Sequence, residues 1–231
     1  MKNSLRIVGV FLLIILIHSC QKYDKNALKD IDGNAYTSVT IGTQVWMVEN
    51  LKTTKYNDGT TIPLVTDNTA WLNLTTPGYC WYNNDAGTNK NTYGALYNWY
   101  VVNTDKLCPM GWHVPSDAEW HNLVLYLDGN ASIDNIPESS IAGGKLKEEG
   151  TSHWMSPNTG TNSSGFRALP GGGRNSLGFG SIGVSGLYWS STGIAEFEYV
   201  LYRGLGYNTS DIFRDRYSKW IGCSVRCLKD Q

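Results

Sequence analysis

The apolar and polar positions of the chain change rhythm three times. Residues 7–17 are an almost unbroken apolar run, interrupted only by Gly9 and preceded by Lys2 and Arg6. That length suits the core of a signal peptide and is short for a bilayer span. Further on, Tyr36-Thr37-Ser38-Val39-Thr40-Ile41 alternates, Gly42-Thr43 turns, and Gln44-Val45-Trp46-Met47-Val48 follows, which predicts an opening hairpin. Asn57-Asp58-Gly59 predicts a turn, Tyr79-Cys80-Trp81-Tyr82 a short strand, and residues 83–91 a polar loop. Two helices are expected. The first covers about residues 93–102, with Tyr93, Leu96, Trp99 and Tyr100 on one face. The second opens at Ser116-Asp117-Ala118-Glu119, a capping box, and carries Trp120, Leu123, Val124 and Leu127 inward until Asp128-Gly129 ends it. After about residue 140 the pattern becomes strands, at 165–169, 186–191, 198–203 and 221–228, joined by glycine-rich connectors at 170–173 and 178–183. Early helices followed by a curled antiparallel sheet make the expected class α+β.

The apolar run ends in Ile17-His18-Ser19-Cys20, which resembles a bacterial lipobox, although His18 stands where a small residue is usual. The resemblance implies a leader of residues 1–19 and a diacylglycerol on Cys20, so that a lipid holds the chain to a membrane. Residues 20–30 then read as a polar tether, and residues 31–230 as one domain, with no repeat and no linker inside it. The expected location is the cell envelope, at the outer membrane, facing either the periplasm or the surface.

Composition narrows the partners. The net charge of −1 implies neither nucleic acid nor an anionic membrane surface as a partner. Nine Trp and 14 Tyr with only 17% charged residues fit a loop-rich β domain ordered by aromatic packing. Apart from Cys20 the cysteines are Cys80, Cys108, Cys223 and Cys227, an even set that an oxidising compartment favours as two disulfides. Three connectivities exist; the preferred one pairs Cys108 with Cys227 and Cys80 with Cys223.

Four stretches together resemble the Fibrobacter succinogenes major paralogous domain. They are Ile41-Gly42-Thr43-Gln44-Val45-Trp46-Met47-Val48-Glu49-Asn50-Leu51, Tyr93-Gly94-Ala95-Leu96-Tyr97-Asn98-Trp99-Tyr100, Leu107-Cys108-Pro109-Met110-Gly111-Trp112-His113-Val114-Pro115-Ser116-Asp117-Ala118-Glu119-Trp120, and Gly222-Cys223-Ser224-Val225-Arg226-Cys227. Cys223 departs from the pattern, which usually has an aromatic there. The segments from His113 to Trp120 and from Gly222 to Cys227 also resemble, more distantly, the formylglycine-generating-enzyme and C-type-lectin-like group. That implies a C-type-lectin-like fold: two helices packed on short curled antiparallel sheets with long Gly- and Asn-rich loops. It does not imply an activity, because such a fold hosts binders and enzymes alike.

Motifs for catalysis are sparse. His113, His121 and His153 form no His-Glu-x-x-His, and no Gly-x-Ser-x-Gly elbow occurs, so the histidines read as structural or surface groups. The resemblance raises a rival, a copper- and oxygen-dependent enzyme using Cys223 and Cys227. On a regular strand those residues lie about 13 Å apart, too far to share a metal. Gly178-Phe179-Gly180-Ser181-Ile182-Gly183 fits the letters of a dinucleotide fingerprint but runs into a strand pattern, where a helix is needed. Asn83-Asn84-Asp85 and Asp211 offer oxygens to Ca²⁺, but without EF-hand spacing they read as an Asn-stabilised turn. No cofactor and no metal site is expected.

What remains is aromatic. Tyr207, Asn208, Asp211, Arg214 and Tyr217, on an expected loop over residues 206–217, combine rings with short polar groups. That mixture suits noncovalent recognition of a glycan or a protein. A purely structural or adhesive envelope module is the third reading.

Overall fold

A computed structural model describes residues 28–194 and 199–231. The expected leader, Cys20 and most of the tether lie outside the described residues. Residues 28–30, expected in the tether, are placed against the domain. Leu28–Lys29 (β1) pairs with Ala35–Tyr36 (β2), and the Asp30 carboxylate accepts from the Tyr36 hydroxyl at 2.6 Å and from Asn34 Nδ2 at 2.7 Å.

The hairpin forms as expected, Ser38–Ile41 (β3) against Gln44–Met47 (β4). A short helix follows, Asn68–Leu72 (α1), capped by Asp67. Tyr79–Cys80 (β5) is the expected strand, cut short by a 3₁₀ turn at Tyr82–Asn84. The expected polar loop at residues 83–91 is instead largely helix, Ala86–Tyr93 (α2), because Asp85 Oδ1 accepts from Thr88 N–H as its N-cap. The single helix expected over residues 93–102 does not exist. Gly94 sits at φ +75° and ends α2, and a Cβ there would lie 2.7 Å from the Leu51 carbonyl oxygen. The chain then extends through Leu96–Tyr97 (β6), paired to β5, before one turn of helix at Trp99–Val102 (α3).

Trp112–His113 (β7) leads into the helix that the capping box specifies, Asp117–Leu127 (α4). Ser116 Oγ accepts from Glu119 N–H, and Glu119 Oε2 accepts from Ser116 N–H at 2.8 Å. Trp120, Leu123 and Val124 are buried beneath it, beside Ala142–Leu146 (α5).

The second half departs most from expectation. Residues 165–169 make no strand, only a bridge from Ala168 to Lys147. The glycine-rich connectors are themselves strands, Gly171–Asn175 (β8) and Gly178–Ile182 (β9). They join Ser185–Gly193 (β10), Tyr199–Gly206 (β11) and Ile212–Ser218 (β12) in one sheet of order β12-β11-β10-β8-β9, antiparallel except for β8 beside β10. The last strand, Leu228–Lys229 (β13), lies inside a second sheet of order β3-β4-β13-β7. The architecture is α+β, dominated by sheet, with five short helices among the described residues. No described helix is long and apolar enough to cross a membrane.

Residues 222–228 stitch these sheets together. Bridges run from Gly222 to Arg174, from Cys223 to Tyr97 and from Ser224 to Tyr188, and the carbonyls of Val225 and Cys227 accept from Leu51 and Met47. The expected regular strand at 221–228 is therefore a seam that changes partner almost every residue. Asp230 N–H donates to Gly111 O, and Leu28 lines a depression with Met110, so both ends of the described chain meet at one turn.

Candidate functional site

The motif residues build frame. Arg226 is fully buried and donates to Asn50 Oδ1 (2.8 Å) and to the carbonyls of Phe166 (2.6 Å), Arg167 (2.9 Å) and Met47 (3.3 Å). Three buried indole N–H groups find a carbonyl: Trp189 donates to Tyr97, Trp120 to Trp189, Trp99 to Ser190. These pairings satisfy polar groups that would otherwise be costly to bury.

The cysteines divide. Cys108 and Cys227 form a disulfide with Cα atoms 6.0 Å apart. The expected Cys80–Cys223 bond is not made; both thiols are free and buried. β6 stands between them, with Leu96 opposite Cys80 and Tyr97 opposite Cys223. Two strand spacings amount to about 9.6 Å, beyond the reach of a disulfide. Burial pushes the Cys80 thiol up to about 12, despite the neighbouring Arg174, and pushes Cys223 well above its usual value. The copper-enzyme rival needs both Cys223 and Cys227 as thiolates, and the Cys227 sulfur is already bonded. Among the described residues no three His, Cys, Asp or Glu side chains gather where they could hold a metal ion.

The five candidate binding residues do not assemble into one site. Residues 206–217 are a turn followed by the edge strand β12, not a loop. Register places Tyr217 opposite Val200 and Ile212 opposite Leu205, so the two ends lie about 17 Å apart at ~3.3 Å per residue. At the turn, Tyr207 packs against the core, and its carbonyl, with those of Gly206 and Thr209, accepts from the buried Lys147 ammonium at 2.7–3.1 Å. Burial pushes this ammonium down to about 8, while Asp211 opposes the shift. Asn208 is exposed at the tip. Arg214 is engaged inward, bidentate to Asp117 at 2.9–3.0 Å, where the buried Arg203 also binds. Asp117 in turn sits at the start of α4.

Tyr217 alone reaches a concavity. Its ring stacks on Tyr202 (4.0 Å between centroids, 7° between planes) and meets Trp189 edge-on. Together with Gly173, Arg174, Asn175, Gly180, Ser181, Leu187 and Ile221 it lines a groove of about 110 Å³. Arg174 is buried between the Trp71 and Phe179 rings, each 4.7 Å away, and donates to the carbonyls of Val65 and Thr66. It therefore anchors the β8–β9 hairpin that forms the far wall. At Gly180 that wall is bare backbone: a Cβ placed there would meet nothing within 4 Å.

A second, polar cleft of about 190 Å³ lies between Glu49, Asn91, Thr92, His153 and Arg167. Glu148, mostly buried behind it, receives His153 Nδ1 at 2.7 Å on one oxygen and Arg167 Nε and Nη2 at 3.1–3.2 Å on the other. The sequence reading gave His153 only a structural or surface role. The Glu-to-His spacing of five was a local signal, but Arg167 joins only through the Lys147–Ala168 bridge. His113 is a clamp, held by Asp230 Oδ1 at 2.7 Å and Glu119 Oε1 at 3.0 Å. Burial lowers its pKa, but these two carboxylates outweigh that and raise it.

A family model described as the Fibrobacter succinogenes major domain matches residues 39–229. The chain belongs to this family. The Fibrobacter succinogenes major domain here spans both sheets, from the first hairpin to β13. No curated protein and no solved structure matches the chain. The matched span takes in the seam as well as the groove residues Asn175, Ser181 and Tyr217.

Proposed function

We propose that the protein is an exported, lipid-anchored envelope lipoprotein whose domain binds a glycan or protein ligand noncovalently. The carrying observation is the groove at Tyr217, where an aromatic ring faces an amide, a hydroxyl and bare glycine backbone. Rings give contact area at low entropic cost, and short polar groups set orientation. A volume of about 110 Å³ corresponds to roughly four waters at ~30 Å³ each, well under the ~300 Å³ of a typical enclosed ligand pocket. Such a groove takes one sugar substituent or one side chain of a larger ligand. The export part of the reading rests on Lys2, Arg6, the apolar run and Ile17-His18-Ser19-Cys20. A C-type-lectin-like classification rests on the resemblance of the segments from His113 to Trp120 and from Gly222 to Cys227.

The test uses printed panels of oligosaccharides and of peptides, probed with the purified chain and with Gly180→Leu. The open space above Gly180 lets leucine fill the groove without disturbing the fold. Loss of binding at an unchanged melting temperature supports the groove; binding that survives Gly180→Leu removes it.

A further inference from the structure

The turn at residues 109–111 presents an apolar side chain outward in a rigid setting. Met110 is 81% exposed, and Ile31, across a shared depression of about 330 Å³, is 51% exposed. Leu28, Lys29, Asp30, Asn57 and Pro109 complete the wall. The turn is fastened on every side. Cys108 is bonded to Cys227, Asn57 Nδ2 donates to Cys108 O at 3.1 Å, Trp112 N–H returns to Pro109 O, and Asp230 N–H donates to Gly111 O. A methionine held this firmly in water has no packing role within the described chain.

The carboxylates around this face are already engaged. Asp30 is bound by Tyr36 and Asn34, Asp58 by Lys106 at 2.9 Å, and Asp230 by His113. Asp58 has a cationic partner in Lys106, whereas Asp30 is hydrogen-bonded by neutral donors. The position of the face along the chain says what covers it. Leu28 is the first described residue and lines the depression itself. Only residues 21–27 separate it from Cys20, and seven residues span at most about 25 Å.

We propose that this face, built from Met110, Ile31 and Leu28, rests in the interfacial layer of the bilayer that anchors the protein. The proposal depends on the lipoprotein reading above. With a lipid on Cys20 the tether cannot carry the face beyond about 25 Å from the membrane. It also keeps the local lipid concentration high enough for a small apolar patch to bind. Ile136 and Leu177 are also exposed, but neither lines the depression at Leu28.

Methionine oxidation reads the contact without altering the chain. Met47 is fully buried and Met155 is 51% exposed, so each serves as an internal standard for Met110. Hydrogen peroxide transfers one oxygen to an accessible thioether, giving sulfoxide and water, and peptide mass spectrometry follows each site. The mature protein is compared in phosphatidylethanolamine–phosphatidylglycerol vesicles and as the unlipidated Cys20→Ser chain in buffer. The expected result is a Met110 rate about fivefold or more slower in vesicles, with Met155 unchanged. The same spectra report the mass of the N-terminal peptide. A Cys20 without diacylglycerol overturns the anchor and the proposal with it. A lipidated Cys20 with Met110 oxidised as fast in vesicles as in buffer overturns the resting face alone.

Discussion

Two segments late in the chain look alike in composition and have opposite fates. Residues 222–228 and residues 207–217 both mix arginine with short polar side chains. The first is buried throughout, and its arginine is spent on four acceptors in the interior. The second lies along the sheet edge, where Asn208, Asp215 and Arg216 stay exposed and Tyr217 reaches a groove. The family likeness therefore describes a frame. Ligand chemistry has to be sought among the side chains that the frame leaves exposed, such as Tyr217 at the groove.

The comparison breaks first at Arg226. Replacing it with Met removes the donor to the Asn50 oxygen and to the carbonyls of Met47, Phe166 and Arg167, the first three of these bonds buried, and urea unfolding should show a loss of about 3–5 kcal/mol. A variant of near wild-type stability would mean the seam is not held this way. Next comes the Cys108→Ala/Cys227→Ala pair, which should cost about 2–4 kcal/mol. A thiol titration of residues 21–231 should find no reactive group in the native protein and two after denaturation, from Cys80 and Cys223. Finding none after denaturation would restore the second disulfide. On the exposed side, Tyr217→Ala should lose about 0.5–1.5 kcal/mol for the stacked pair, beyond its buried area. Ser116→Ala should cost about 1 kcal/mol by removing the cap.

The smallest effect is a pH dependence. His113 has a raised folded pKa, so its stabilising contribution is complete below the usual histidine value and is lost as pH rises through the folded value. Because His113 and Asp230 are well exposed, the loss should be a few tenths of a kcal/mol. Melting temperatures at pH 5.5 and 7, both below the titration of Lys147, should differ more for the wild type than for His113→Ala; an equal difference in both would place the titration elsewhere.

What was legible in the sequence was local. The hairpin at Gly42-Thr43 and the helix after Ser116 depend on turn and cap chemistry written within a few residues. The helix expected at 93–102 had the right apolar spacing, and one left-handed glycine overrode it. β8 and β9 were hidden for a different reason. Glycine has poor strand propensity, and here it is used for close approach of backbones: a Cβ on Gly172 would lie 2.3 Å from Gly180 O. Tyr217 stood out as an aromatic, but its partners Asn175 and Ser181 come from far upstream. They arrive through the parallel pairing of Gly172 with Gly186, which no local pattern announces. The Cys80–Cys223 expectation failed because counting cysteines says nothing about a strand lying between them.

The position of β13 has a consequence for how the domain comes into being. It fills the slot between β4 and β7, and its neighbour Cys227 closes a covalent loop across 119 residues. A ribosome or a secretion pore that delivers the chain from its N-terminus presents these residues last. Until then β4 and β7 have an empty lane between them, and the disulfide has only one of its sulfurs. Pairing of β13 with β4 and β7 and closure of the disulfide therefore both wait for residues 227–229, after the rest of the domain has been delivered.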